Sequence, residues 1–320
     1  MNYSFQTSDP HHIGVLAAVA AFLIWGFSPL YFRAVDAATA AEVLAHRVVW
    51  SLLFSLVLIV IAGEMRNWLR ILLNGRMLLV LATSALLVTV NWYGFIWAVT
   101  HEMALEASMG YYIMPIFMVL LGRIFLDERL NRNQWISFGL VVLGVLNQLY
   151  SMQQLPWLAL MLATSFGLYS LVRKKAPVDP LVGLATECLL LTPIALGYLL
   201  FLMHNEHLVF TSKGIGFDLL LAGTVLVTAL PLILFAFSAK RLRLGTVGLL
   251  QYINPTCQFI LALFLFGEPF SQHHLHTFLL IWSGLALFSI DSHYSKRVFD
   301  FVMQNGTSKS PFCTQSLTAY

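Results

Sequence analysis

Tyr112-Ile113-Met114-Pro115, with Glu128 thirteen residues beyond the proline, returns 140 residues later as Tyr252-Ile253-Asn254-Pro255, again thirteen residues ahead of a carboxylate, Glu268. Around these motifs the stretch from Asn91 to Leu130 lies without a gap on the stretch from Pro231 to Phe270, with Phe95 on Phe235 and Leu121 on Leu261. Apolar segments agree by composition alone, so the Tyr-Ile-x-Pro element and the trailing glutamate carry the weight. At a shift of 141 residues, Ile24 to Arg33 falls on Ser165 to Lys174, sharing a glycine and a terminal cation. The chain therefore reads as a duplication.

What is duplicated is a membrane unit. The 320 residues are 59% hydrophobic and 10% charged, with a mean hydropathy of +0.79, where a soluble chain carries roughly a quarter charged residues. Apolar runs recur from Ile13 to Asp291, each long enough to cross a hydrocarbon core of about 30 Å as a helix. Ten spans are predicted: Ile13 to Arg33, Ala40 to Ala62, Met77 to Val99, Leu105 to Leu126, Trp135 to Tyr150, Pro156 to Val172, Leu181 to Met203, Phe217 to Ser238, Thr246 to Phe266 and Leu275 to Ile290. The first lacks a basic leading region and a small-residue cleavage motif, so it reads as a retained span and not a signal peptide.

Successive loops alternate across the bilayer, which assigns every cation to a side. One side receives Arg66, Arg70, Arg76, Arg123, Arg129, Arg132, Arg173, Lys174, Lys175, Lys240, Arg241, Arg243, Lys296, Arg297 and Lys309, or 15 of the 18 basic residues. The other receives Arg33 and Lys213, while Arg47 falls inside a span. The positive-inside rule then puts both termini in the cytoplasm. One span too many or too few would misplace every later cluster. Five spans per repeat is an odd number, so the second repeat enters the membrane from the opposite side. The expected fold is all-α, ten transmembrane helices in two inverted five-helix repeats, 13–150 and 156–291, followed by a polar cytoplasmic tail, 292–320, expected to be disordered. Inverted repeats of this kind build many secondary transporters, because two near-equivalent conformations open a central site to either side.

Polar groups inside spans are costly and mark candidate pathway residues. His46, Arg47 and Trp50 stand together on the second span, with Glu42 one turn before His46. Arg47 lies roughly 10 Å from the outer boundary at about 1.5 Å per residue; it reads either as a substrate or gating cation, or as a snorkelling side chain that reaches the interface or pairs with Glu42. Glu187, in the seventh span, reads as a proton-coupling or cation-binding carboxylate, or as the static partner of an arginine. The fourth and ninth spans bring Tyr111, Tyr112 and Pro115 against Gln251, Tyr252, Asn254 and Pro255. Each proline frees a backbone carbonyl and kinks its helix near mid-membrane; the ordinary alternative is that membrane helices often hold proline and interfacial tyrosine. Asn91 is a weaker candidate, since an asparagine also serves to bond neighbouring helices. His46, whose unperturbed pKa is near ~6.5, is expected to make transport pH-sensitive.

Other classes of function leave no signature. His101-Glu102-Met103-Ala104-Leu105 opens like a zinc-binding HExxH and ends in leucine, one ligand short. No paired intramembrane aspartates, GxSxG or phosphate-binding loop occurs, and no channel filter motif is present. Cys188, Cys257 and Cys313 are scattered, implying neither disulfides nor zinc. The expected reading is a gradient-driven carrier with no cofactor, no metal and no nucleic-acid partner; a membrane-embedded enzyme or a channel with a polar site is the alternative.

His46-Arg47-Val48-Val49-Trp50-Ser51, Leu105 to Pro115, Leu171-Val172-Arg173-Lys174-Lys175 and Arg241 to Pro255 resemble the RarD-type members of the EamA family, within the drug/metabolite transporter superfamily. The resemblance runs from Ile13 to Asp291. It implies a bacterial inner-membrane permease of a metabolite, amino-acid-like compound or drug, in a group associated with chloramphenicol sensitivity, with a coupling proton as a further expectation. Two positions depart from the family's pattern: Asn254 stands where glycine is frequent, and Met114 where a small or apolar residue is as usual. Both bear on selectivity.

Overall fold

The computed structural model describes residues 10–100, 104–152, 157–265, 275–288 and 290–291. Helices α1 (Pro10–Ala34), α2 (Ala40–Ile61), α4 (Gly75–Thr100), α5 (Ala104–Phe125) and α6 (Arg132–Met152) occupy the first five predicted spans, and α7 (Trp157–Lys175) and α8 (Pro180–His204) the next two. The eighth is made by α9 (Ile215–Gly223), a 3₁₀ turn (Thr224–Val227) and α10 (Ala229–Arg241), the ninth by α11 (Leu244–Leu250) and α12 (Ile253–Phe264), and the tenth by α13 (Leu275–Phe288). The expected tail, Cys313 and Glu268 lie outside the described residues, as do residues 101–103 of the truncated HExxH.

Three local features depart from the expected continuous spans. A short helix, α3 (Met65–Leu72), occupies what was read as a loop. Its buried Trp68 packs with Ile59, Leu81, Val182 and Ala185 and donates from Nε1 to Thr186 Oγ1 (3.2 Å). The eighth span is broken because Pro231 has no N–H for the carbonyl four residues back. Its frayed turn is held by hydroxyls instead, Thr224 Oγ1 donating to Leu221 O (2.6 Å) and Thr228 Oγ1 to Thr224 O (2.8 Å). The ninth span bends at Gln251 and Tyr252, where Pro255 frees the Gln251 carbonyl and Asn254 N–H takes it in a tighter turn (3.0 Å). Pro115, by contrast, sits inside an unbroken α5.

The inversion is visible in how equivalent spans pack. Along α2 and α8, the second and seventh spans, Ile59 meets Val182 and Ala185 while Ala45 and Val48 meet Ala195, so the two run antiparallel. Across α5 and α11–α12, the fourth and ninth, Tyr252 reaches Tyr112, Gln251 reaches Met114, and Gly248 lies against Met118 and Pro115, again antiparallel.

The chain divides into two compact units that cut across the repeats: residues 1–121 with 156–267, and residues 122–155 with 268–320. Spans one to four and six to nine form the first. In the second, α6 and α13 pack through glycine, a Cβ at Gly144 falling 3.0 Å from Thr277 O and one at Gly284 falling 2.7 Å from Ser137 O. Asp291 there accepts from Asn131 Nδ2 (2.6 Å) and Asn133 Nδ2 (2.7 Å).

Candidate substrate site

Thr39 caps α2 by accepting the Glu42 N–H (3.2 Å). Glu42 Oε1 then accepts the Val209 and Phe210 N–H groups (2.9 and 3.1 Å), pulling the loop between α8 and α9 over the helix. The Phe210 ring settles 4.7 Å from the buried His46 imidazole. Glu42 Oε1 is thereby taken by backbone while Oε2 has no hydrogen-bond partner, and Arg47 does not pair with either oxygen.

Arg47 turns toward the broken eighth span. Its Nε donates to Thr228 Oγ1 (2.7 Å), and its guanidinium carbon lies 4.9 Å from the Trp92 ring centre and 5.3 Å from that of Phe32. The Tyr111 phenol is within electrostatic reach, and its ring packs edge-on against Phe95 (5.7 Å). Arg47, Tyr111 and Tyr112 are half-buried. On the same helix, Trp50 Nε1, His46 Nε2, Ser51 Oγ and Ser55 Oγ are buried without partners.

The equivalent tyrosines of the two repeats meet directly. Tyr252, fully buried, donates from its hydroxyl to the Tyr112 carbonyl (2.7 Å), one residue from the carbonyl that Pro115 frees. Gln251 donates from Nε2 to the Met114 sulfur and leaves Oε1 unpartnered. Asn254 is buried, and its Oδ1 accepts from Gln258 Nε2 (2.9 Å).

Two of the sequence candidates stand apart from this group. Asn91 bridges helices, donating to Leu162 O (2.8 Å) and Ser165 Oγ (3.3 Å), the packing role its residue type allowed. Glu187 belongs to a second buried cluster. Arg173 Nε lies 3.6 Å from its Oε1, Ser84 donates a 2.5 Å bond to the same oxygen, and Arg173 Nη2 donates to Pro180 O (3.0 Å). Ala195, level with Ala45 and Val48, is eight residues beyond Glu187, about 12 Å along the helix.

Nothing in residue type or spacing marks Thr228, Phe32 or Phe210 as neighbours of α2. Arg173 reads in sequence as the first of three loop cations, yet α7 continues to Lys175 and Arg173 is 1% exposed.

Helices of membrane-spanning length, discontinuous spans and a polar interior site define a membrane transporter. The chain belongs to the EamA-like transporter family, which matches residues 12–148 and again 155–290, within the drug/metabolite transporter superfamily. It is similar to Protein RarD of Salmonella typhi, 43% identical over 284 residues covering 89% of this chain and 97% of that one. The uncharacterized transporter YojE of Bacillus subtilis is 42% identical, with 89% and 96% covered. The chloramphenicol-sensitive protein RarD of Pseudomonas aeruginosa is 31% identical, with 87% and 94% covered. A protein crystal structure only 15% identical superposes with a TM-score of 0.63 over 86% of this chain and 96% of its own, a likeness of fold.

Proposed function

We propose that this protein is a secondary carrier that moves a small metabolite, amino-acid-like compound or drug by alternating access between its two repeats, 13–150 and 156–291. The pathway is lined by His46, Arg47, Trp50, Tyr111, Tyr112, Gln251, Tyr252 and Asn254, and it opens about the bend before Pro255 and about Pro115, the equivalent position of the fourth span. Both termini and the tail 292–320 are cytoplasmic in a bacterial inner membrane.

One observation carries this reading: Tyr252 and Tyr112, equivalent in the duplication, are joined by a hydrogen bond at the two proline-bearing helices. The bond runs from a hydroxyl of one repeat to a carbonyl of the other, so exchanging the conformations of the two repeats replaces it with the reciprocal bond, Tyr112 hydroxyl to Tyr252 carbonyl, while the access side changes. Glu187 and its arginine are assigned a role in coupling, where a proton taken by the carboxylate loosens the pair.

The experiment is flux in cells lacking or overexpressing the protein, across metabolites and antibiotics including chloramphenicol. Arg47→Ala and Tyr252→Ala are expected to abolish the difference the wild type makes while inserting normally. Wild-type flux from both variants, at equal membrane abundance, refutes the pathway.

A further inference from the structure

The charge balance around Arg47 bears on what the carrier accepts. An arginine placed mid-membrane normally has an anionic partner, because an unpaired ion in hydrocarbon is costly. Among the described residues Arg47 has none. Glu42 is bound to the Val209 and Phe210 amides, and Glu187 to Arg173 and Ser84. The contacts Arg47 does have are a hydroxyl and two aromatic faces.

Those contacts orient the guanidinium. Thr228 gives its own proton to Thr224 O and presents a lone pair to Arg47 Nε, which fixes the plane of the group and turns the Nη1–Nη2 edge away from Thr228. That edge offers two parallel donors, the fork that matches a carboxylate. One turn along α2, the Trp50 indole N–H, which can only donate, has no partner. The Trp92 and Phe32 rings lie against the guanidinium, and the Tyr111 phenol is within electrostatic reach of it.

Resting on the carrier reading above, we propose that the Arg47 site takes a small organic monocarboxylate with an apolar or aromatic body, the carboxylate seated on the Nη edge of Arg47 and the body against Trp92, Phe32 and Tyr111. A single guanidinium balances a single negative charge. A phosphate dianion brings a second charge that none of these side chains neutralises, and an organic cation meets the like charge of Arg47 with no carboxylate paired to it among the described residues.

The test measures binding without requiring flux. The full-length protein in lipid nanodiscs is titrated with phenylacetate, indole-3-acetate and benzoate, each against its neutral amide. At least one acid is expected to bind about tenfold or more tighter than its amide, the difference expected of one charge-assisted contact. Arg47→Lys is expected to keep a weakened preference and Arg47→Gln to lose it. Thr228→Ala, which leaves the charge in place, is expected to reduce acid binding severalfold while sparing amide binding.

No acid preferred over its amide, or a preference that survives in Arg47→Gln, overturns the proposal. So does a preference that arises only in Glu106→Gln; the Glu106 side chain lies outside the described residues, and such a result would make it the resident counter-ion. Acid binding with no flux in proteoliposomes supports this site and sinks the carrier reading. Full flux of neutral compounds through Arg47→Gln does the reverse.

Discussion

At Arg173 and Glu187 two opposite charges are both almost wholly buried, 1% and 2% exposed. Such a pair contributes little relative to apolar residues of the same volume, but removing one member strands the other charge in a low-dielectric interior. Arg173→Ala is therefore expected to destabilise the protein by about 3–5 kcal/mol, while Arg173→Met combined with Glu187→Leu recovers most of the loss. Thermal unfolding of the two variants and the wild type in one detergent checks it; equal loss in the single and double variants would contradict the pairing. Gly183 completes the arrangement, since a Cβ there collides with the guanidinium. This cluster was only half legible in the sequence. Glu187 stands out because a carboxylate inside a span is conspicuous, whereas Arg173 is masked by Lys174 and Lys175 beside it. The sequence offers no rule for which of three adjacent cations folds inward.

Among the elements, the fourth and ninth spans come into close contact at Gly248. A Cβ there would lie 2.8 Å from Met118 Cβ and 3.0 Å from the Pro115 carbonyl, both held by α5 itself and unable to swing aside. Gly248→Val is expected to separate the two helices, break the Tyr252–Tyr112 bond and eliminate transport, with loss of a monodisperse peak on size exclusion if the core cannot adjust. Gly197→Val faces open space, with nothing within 4 Å of its Cβ, and is expected to behave as wild type in both measurements. Equal behaviour of the two variants would mean that the close approach has no consequence. At this scale the sequence located the pairing through the 140-residue repeat, because duplication places like motifs at like depth. It did not foresee that the eighth span would break and the fourth would not, although both contain proline. In the eighth, Thr224 and Thr228 hydroxyls are available to satisfy the carbonyls that the turn releases, whereas in the fourth the Tyr252 hydroxyl of another helix takes the Tyr112 carbonyl, the neighbour of the one Pro115 frees. That bond is a tertiary contact, which periodicity cannot register.

For the whole molecule, the repeats were legible because apolar run length and loop charge are set by the bilayer and not by packing. The grouping of α6 with α13 in a unit separate from the other spans was not, since it depends on glycine contacts between segments 130 and more residues apart. The odd number of spans per repeat makes topology a sharp test of the inversion. Arg129 and Arg132 follow the fourth span, and Arg241 and Arg243 follow the eighth, on the side expected to be cytoplasmic; Lys213, between the seventh and eighth, is the lone cation of its loop on the other. A phosphatase reporter, active only outside the cytoplasm, is expected to be active when inserted after Lys213 and inactive after Arg129, Arg241 or Lys309. Activity at both Lys213 and Arg241 would require an even number of crossings between them, and the eighth span, broken at residues 224–228, is the one segment whose failure to cross would produce it. Activity after Lys309 with silence after Lys213 would invert the whole assignment and leave the repeat intact, because duplication fixes the relative orientation of the halves while only the fifteen clustered cations fix which face is the cytoplasmic one.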